Sequence, residues 1–177
     1  MNNKKGFTLV ELLAVIVILA LIMSVAVVSM GNIMRNAQNS TFKETAEQLI
    51  AGVQQQLMLN GRLEPGQYFF TKAILDKGGE TSPRGGTIQY VAAPSSGKTK
   101  LQTSGSAVAV TEIVNGIYKN SGSNVACAKT TYSNVIITQN GTGFNYQICL
   151  TAGAGNPHID GTRADVLNEN NTTVIKD

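Results

Sequence analysis

The sequence predicts an α+β fold in which a long, protruding N-terminal helix packs its C-terminal half on a small antiparallel β-sheet. Three observations carry that expectation. An uncharged apolar run begins at Leu12 and ends at Met34, bracketed by Glu11 and Arg35. Directly after it, Phe42, Ala46, Leu49, Ile50, Val53 and Leu57 recur at spacings of three and four, the signature of a helix with one buried face. The rest of the chain alternates runs rich in Val, Ile, Thr and Tyr with Gly, Pro, Asn and Ser turns, as short strands do.

Composition narrows the function classes. At 177 residues the chain holds about one modest domain, which excludes a scaffold as large as a TIM barrel. Only 14% of residues are charged, 6% are aromatic, Trp is absent and the net charge is +3, so no basic, stacking surface for nucleic acid is expected. The 42% hydrophobic content is unevenly spread, since 22 of the 28 residues from Phe7 to Met34 are hydrophobic. A greasy segment is joined to a polar body.

The helix comes first. No Pro precedes Pro65, and Asn60-Gly61 supplies a stop signal, so one helix from Phe7 to Leu59 is predicted. Its length would be roughly 80 Å, too long to bury in a domain of this size. The uncharged stretch alone would span roughly 34 Å, enough to cross a bilayer. Lys4 and Lys5 stand before it and no basic cluster follows closely, which leaves the N-terminus in the cytoplasm and exports the body. Arg35, Lys43, Glu44, Glu47, Gln48 and the residues 54–56 fall on the other faces of the amphipathic half. A secretory signal peptide cut after Ala26 is the competing reading. Glu11 inside the apolar stretch and a helical pattern that runs on past Ala26 argue against it.

The body is read as β-rich. Strands are expected at 87–92, 107–118, 133–138 and 144–151, with a short helix or strand at 68–75. Residues 139–143, Gln-Asn-Gly-Thr-Gly, read as a hairpin connection because Asn and Gly accept positive φ. That hairpin places Cys149 opposite about Ser133. Cys127 and Cys149 are the two cysteines, and in an exported body a disulfide between them is the default, worth roughly 3 kcal/mol on the chain-entropy model. Residues 130–159 contain no Asp, Glu, Lys or Arg. Burial between subunits, glycan decoration, adhesion and two plain hairpin strands with polar turns remain open readings of that stretch. Asn39, Asn140, Asn170 and Asn171 fit N-x-S/T, but chance matches are expected in a chain so rich in Asn and Thr.

The residues Lys4-Lys5-Gly6-Phe7-Thr8-Leu9-Val10-Glu11-Leu12-Leu13 resemble the start of a type IV prepilin. The resemblance extends over about the first 55 to 60 residues. It implies a pilin-like fold and cleavage by a prepilin peptidase after Gly6, followed by N-methylation of Phe7. It also implies that Glu11 pairs with the N-terminal ammonium of a neighbouring Phe7, which fixes the register of a filament and compensates a charge in a dry core. Thr8 is read either as bonding its own helix backbone or as taking part in assembly. Many pilins carry a helix-breaking Gly and Pro where this chain has Ala20 and Val28. Here Gly31-Asn32 is the weakest helical spot, so any local melting is expected there or not at all.

The expected domain organisation is a cleaved leader at 1–6, a transmembrane or filament-core half at 7–34, an amphipathic half at 35–60 and a globular head at 61–177. The resemblance implies as partners further copies of the chain, minor pilins, a prepilin peptidase, an assembly platform with its ATPase, and the membrane before assembly. The chain would sit in the cytoplasmic membrane and then in an extracellular pilus. No enzyme activity, cofactor or metal is expected: His158 is the one histidine and reads as a surface turn, and the spacing of Asp160 and Asp165 fits no EF-hand loop. A pilus subunit is the leading reading. A pseudopilin of a type II secretion or competence system is the second, and a secreted soluble protein released after Ala26 the third.

Overall fold

The computed structural model describes residues 8–61, 63–74, 81–91, 100–103, 106–168 and 170–177. Helix α1 runs unbroken over Leu9–Leu59, passing through Gly31-Asn32 without interruption. Contacts divide the chain into two units, Met1–Gln38 and Asn39–Asp177. In the first unit the described residues form helix alone, and every described side chain from Leu9 to Ala37 is exposed.

In the second unit, eight described strands form one antiparallel sheet. These are β1 (Gly66–Phe70), β2 (Lys100–Thr103), β3 (Ser106–Val114), β4 (Ile117–Asn120), β5 (Asn134–Asn140), β6 (Gly143–Leu150), β7 (His158–Thr162) and β8 (Ile175–Lys176). Their order across the sheet is β2-β3-β4-β1-β5-β6-β7-β8, so the first strand of the chain lies in the interior between β4 and β5. A short helix α2 (Arg163–Leu167) follows β7 directly. The α+β layout, a long helix and then a small antiparallel sheet, is the one the sequence predicts.

Both faces of the sheet are covered. Phe42, Ala46, Leu49, Ile50, Val53 and Leu57 of α1 are all buried against Tyr68, Phe70, Ile117, Val135, Ile137, Ile148 and Leu150. Removing a side chain such as Leu49 or Ile50 from water stabilises the unit by about 1.5–3 kcal/mol each. Because successive strand residues point to opposite faces, Gln67 and Phe69 lie on the other side from Tyr68 and Phe70. There Phe69 joins Val91, Leu101, Val108 and Tyr118 in a second, smaller core. This double burial is why β1 is buried at four of its five positions and shows no polar alternation.

Several local expectations need correction. The run 107–118 is two strands, parted by Asn115 (φ 44°) and Gly116 (φ 82°). Two consecutive left-handed residues make the primed turn that an antiparallel hairpin favours, and Asn-Gly is its strongest signal. The hairpin at 139–143 forms with a tighter turn: Asn140 stays in β5 opposite Gly143, and Gly141 (φ 57°) takes the left-handed position. The predicted strand 87–92 is an extended segment outside any named strand. Gln89 N–H donates to Thr151 O, Gln89 O accepts from Ser133 N–H, and Val91 N–H donates to Phe70 O, so three different partners replace one ladder. Ala92 lies outside the described residues. At 68–75, β1 ends at Phe70 and a 3₁₀ turn covers Lys72–Ile74; Leu75 is outside the described residues. Cys149 pairs with Asn134, one residue from the expected Ser133. His158 opens β7 opposite Lys176 where a surface turn was expected.

One side-chain placement also differs. Lys43, assigned to a polar face, is 6% exposed, and its Nζ donates to Asn168 O at 2.9 Å. One turn along α1, Glu47 accepts from Arg163 Nε at 2.8 Å and also from Nη2. The segment following β7 covers this side of the helix, so its polar groups bond backbone and guanidinium instead of water.

Candidate functional site

The start of α1 is built by four consecutive residues. Thr8 N–H donates to Glu11 Oε2 at 2.8 Å, while Glu11 N–H donates to Thr8 Oγ1 at 3.3 Å. The Thr8 hydroxyl also donates to Glu11 Oε2 at 2.9 Å. This is a reciprocal capping box, in which Thr8 precedes the first helical residue and Glu11 is third in the helix. Two amide donors that a helix start leaves without partners are thereby satisfied, and a carboxylate sits at the positive end of the helix dipole. Among the described residues, Glu11 Oε1 takes no hydrogen bond.

Thr8 therefore does more than bond its own helix backbone, since it also holds the Glu11 side chain. The signal was in the sequence, because Thr8-Leu9-Val10-Glu11 is the T-x-x-E pattern placed just before an apolar run.

From Leu12 to Met34 the helix is uncharged and largely apolar on every side. Leu12, Val15, Ile16, Ile18, Leu19 and Ile22 are all between 48% and 62% exposed, and Met30, Ile33 and Met34 are similarly bare. Ser24 turns its hydroxyl back to Leu21 O at 2.7 Å, leaving it no outward polar demand. A helix exposed on all sides and apolar on all sides is suited to hydrocarbon or to the flanks of like helices. By length and composition α1 can cross a membrane.

Within the second unit the cysteines are joined. Cys127 and Cys149 form a disulfide with Cα atoms 5.3 Å apart, tying residues 124–127 to the sheet face opposite α1. An amide network holds the same face. Gln67, fully buried, donates from Nε2 to Val125 O and to Asn134 Oδ1, both at 2.9 Å, and its Oε1 accepts from Val125 N–H and Asn120 Nδ2.

Asp165, Asp160 and Asn171, among the candidates raised for other chemistry, have structural partners. Asp165 accepts from Thr162 at the start of α2 and from Asn171 Nδ2, and its carboxyl is held below the usual range chiefly by the Thr162 hydroxyl. Asp160 Oδ1 accepts from Gln147 Nε2 at 3.2 Å. Asn140 stands exposed at its hairpin, and Asn171 bonds Thr173. Gly6 and Phe7, the expected cleavage and methylation residues, lie outside the described residues.

A family model described as the prokaryotic N-terminal methylation motif matches residues 1–27. The chain carries a type IV prepilin leader. The matched stretch contains Gly6, Phe7, the Thr8–Glu11 cap and the first turns of the apolar helix. No curated protein and no solved structure matches the chain. A prepilin leader implies processing by a prepilin peptidase and filament assembly in general, and together with the apolar helix it indicates membrane anchoring before assembly.

Proposed function

We propose that this chain is the structural subunit of a type IV pilus, polymerising through α1 into a surface filament for adhesion, motility or DNA uptake. The observation that carries the reading is the combination at the start of α1: one carboxylate, held by Thr8 and with no hydrogen bond to Oε1 among the described residues, at the head of an uncharged stretch, Leu12 to Met34, whose described side chains are all exposed.

The roles divide along the chain. Residues 1–6 are the leader, with Lys4 and Lys5 retained on the cytoplasmic side. The peptidase cuts after Gly6, where the missing side chain admits the enzyme to the backbone, and Phe7 becomes the methylated N-terminus. Residues 7–34 occupy the membrane and then the filament core, 35–60 form the amphipathic half of the helix, and 61–177 form the displayed head. In the core, Glu11 meets the Phe7 ammonium of a neighbouring copy, an arrangement favoured because a charge in a dry environment is costly unless paired. Minor pilins, an assembly platform and its ATPase complete the machinery.

Mass spectrometry of the mature N-terminus tests the processing: a methylated Phe7 is expected, and a start at Val27 would overturn it. Shearing cells and identifying the main component of the long filaments tests the pilus. This chain should dominate that fraction, and its absence would favour a short pseudopilus of a secretion or competence system.

A further inference from the structure

The disulfide holds residues 124–127 above the sheet face opposite α1 without closing the space beneath them. A cleft of about 210 Å³ remains, with Ile136, Gln147, Cys149 and Asp160 among its lining residues and 124–127 as its wall. The strand register accounts for the floor: Ile136 is opposite Gln147, Cys149 is opposite Asp160, and alternation puts all four on one face. The cleft lies wholly within the Asn39–Asp177 unit.

Its electrostatics are one-sided. Asp160 is the one carboxylate among the described residues that line it, and the 30 residues preceding Asp160 contain no Asp, Glu, Lys or Arg. Gln147 Nε2 bonds Oδ1 of the carboxylate, at the long distance of 3.2 Å. The hydrocarbon of Ile136 and the disulfide sulfurs line the same space, while the Gln147–Asp160 pair stands at its solvent-exposed side. One carboxylate cannot supply the six to eight oxygens that Ca²⁺ requires, whereas a single ammonium or guanidinium needs one anion and a few neutral acceptors.

We propose that this cleft binds a small organic monocation, a primary ammonium or guanidinium group, with Asp160 as its counter-ion and the Gln147 side-chain amide as a polar partner. The site is independent of the filament reading, since it is formed within one copy of the chain.

The test uses the full-length protein in detergent micelles, isotopically labelled and followed by NMR while n-butylammonium, methylguanidinium or uncharged n-butanol is titrated in. Saturable shifts at Asp160, Gln147 and the 124–127 amides are expected with both cations, at half-saturation at least about tenfold lower than for butanol, and weakened by added salt. Asp160→Asn should abolish the preference for cations, and Gln147→Glu, which adds a second carboxylate, should strengthen cation binding severalfold. Equal response to butanol, or cation binding unchanged in both variants, would overturn the proposal.

Discussion

Thr8 and Glu11 close a reciprocal cap at the head of α1, and Thr162 and Asp165 repeat the same device at the head of α2. The two capped helices differ in length and character: α1 continues through an apolar stretch into an amphipathic one, whereas α2 ends after five residues. The cap at α1 gives Glu11 two separable tasks, holding the helix start and presenting a charge.

Two substitutions separate them. Glu11→Gln keeps an oxygen acceptor for Thr8 N–H, since Gln also serves in capping boxes, but removes the charge. Glu11→Leu removes both. Each variant should stay in the membrane fraction, because the apolar run is untouched, and each should give few sheared filaments if the charge sets the register. Normal filaments from Glu11→Gln would assign the residue to capping alone.

The cap at α2 predicts a pH dependence. Bonding by Thr162 lowers the Asp165 pKa in the folded state, so ionised Asp165 favours folding. Its contribution is fully present above the ordinary carboxylate range near 4 and is lost as pH falls through the lowered folded value. Thermal midpoints measured between pH 7 and pH 2 should fall more for the wild-type chain than for Asp165→Asn. Thr162→Ala should cost about 0.5–2 kcal/mol at pH 7.

The disulfide closes a loop of sequence separation 22, and removing it by Cys127→Ser with Cys149→Ser should cost roughly 3 kcal/mol in urea unfolding. The double variant should also expose residues 121–132 to faster amide exchange, while amides of β6 remain protected by their ladders to β5 and β7.

Gln67→Leu should destabilise by about 2–4 kcal/mol despite nearly conserved volume, because Val125 N–H and O and the amides of Asn120 and Asn134 lose their shared partner. Equilibrium unfolding of the variant checks this, and a near-neutral result would mean that water replaces the amide.

The parts of this fold visible in the sequence are those set by local period and by long uninterrupted patterns. The six apolar positions from Phe42 to Leu57 all bury, because a helix face repeats at a fixed interval whatever it packs against, whereas the burial of Lys43 beside them depends on the segment after β7. The Thr8–Glu11 cap was equally local, and only its T-x-x-E spacing needed notice. β1 was ambiguous for a different reason. Covered on both faces, Gln-Tyr-Phe-Phe has no alternation to read, and Gln67 looks like a surface residue until its three amide and backbone partners arrive from residues 120–134. The segment 88–91 has strand composition, yet its partners come from three places, which composition cannot report. The Asp160 cleft was illegible because it depends on strand register and on where the disulfide holds a loop.

The interior position of β1 has a kinetic consequence. It is the first strand of the chain, yet its neighbours are β4 at Ile117–Asn120 and β5 at Asn134–Asn140. If the body is exported as proposed, Tyr68, Phe69 and Phe70 have no ladder to join on the β5 side until some 65 further residues have crossed. Cys149 arrives later still, so the oxidation that fastens residues 124–127 comes after the sheet has begun to close. Long-range pairing of this kind folds slowly and leaves apolar strands uncovered in the interval. On the proposed reading, export and maturation of the head are therefore two separate events in time, and a membrane-held α1 would retain each nascent copy while the second is completed.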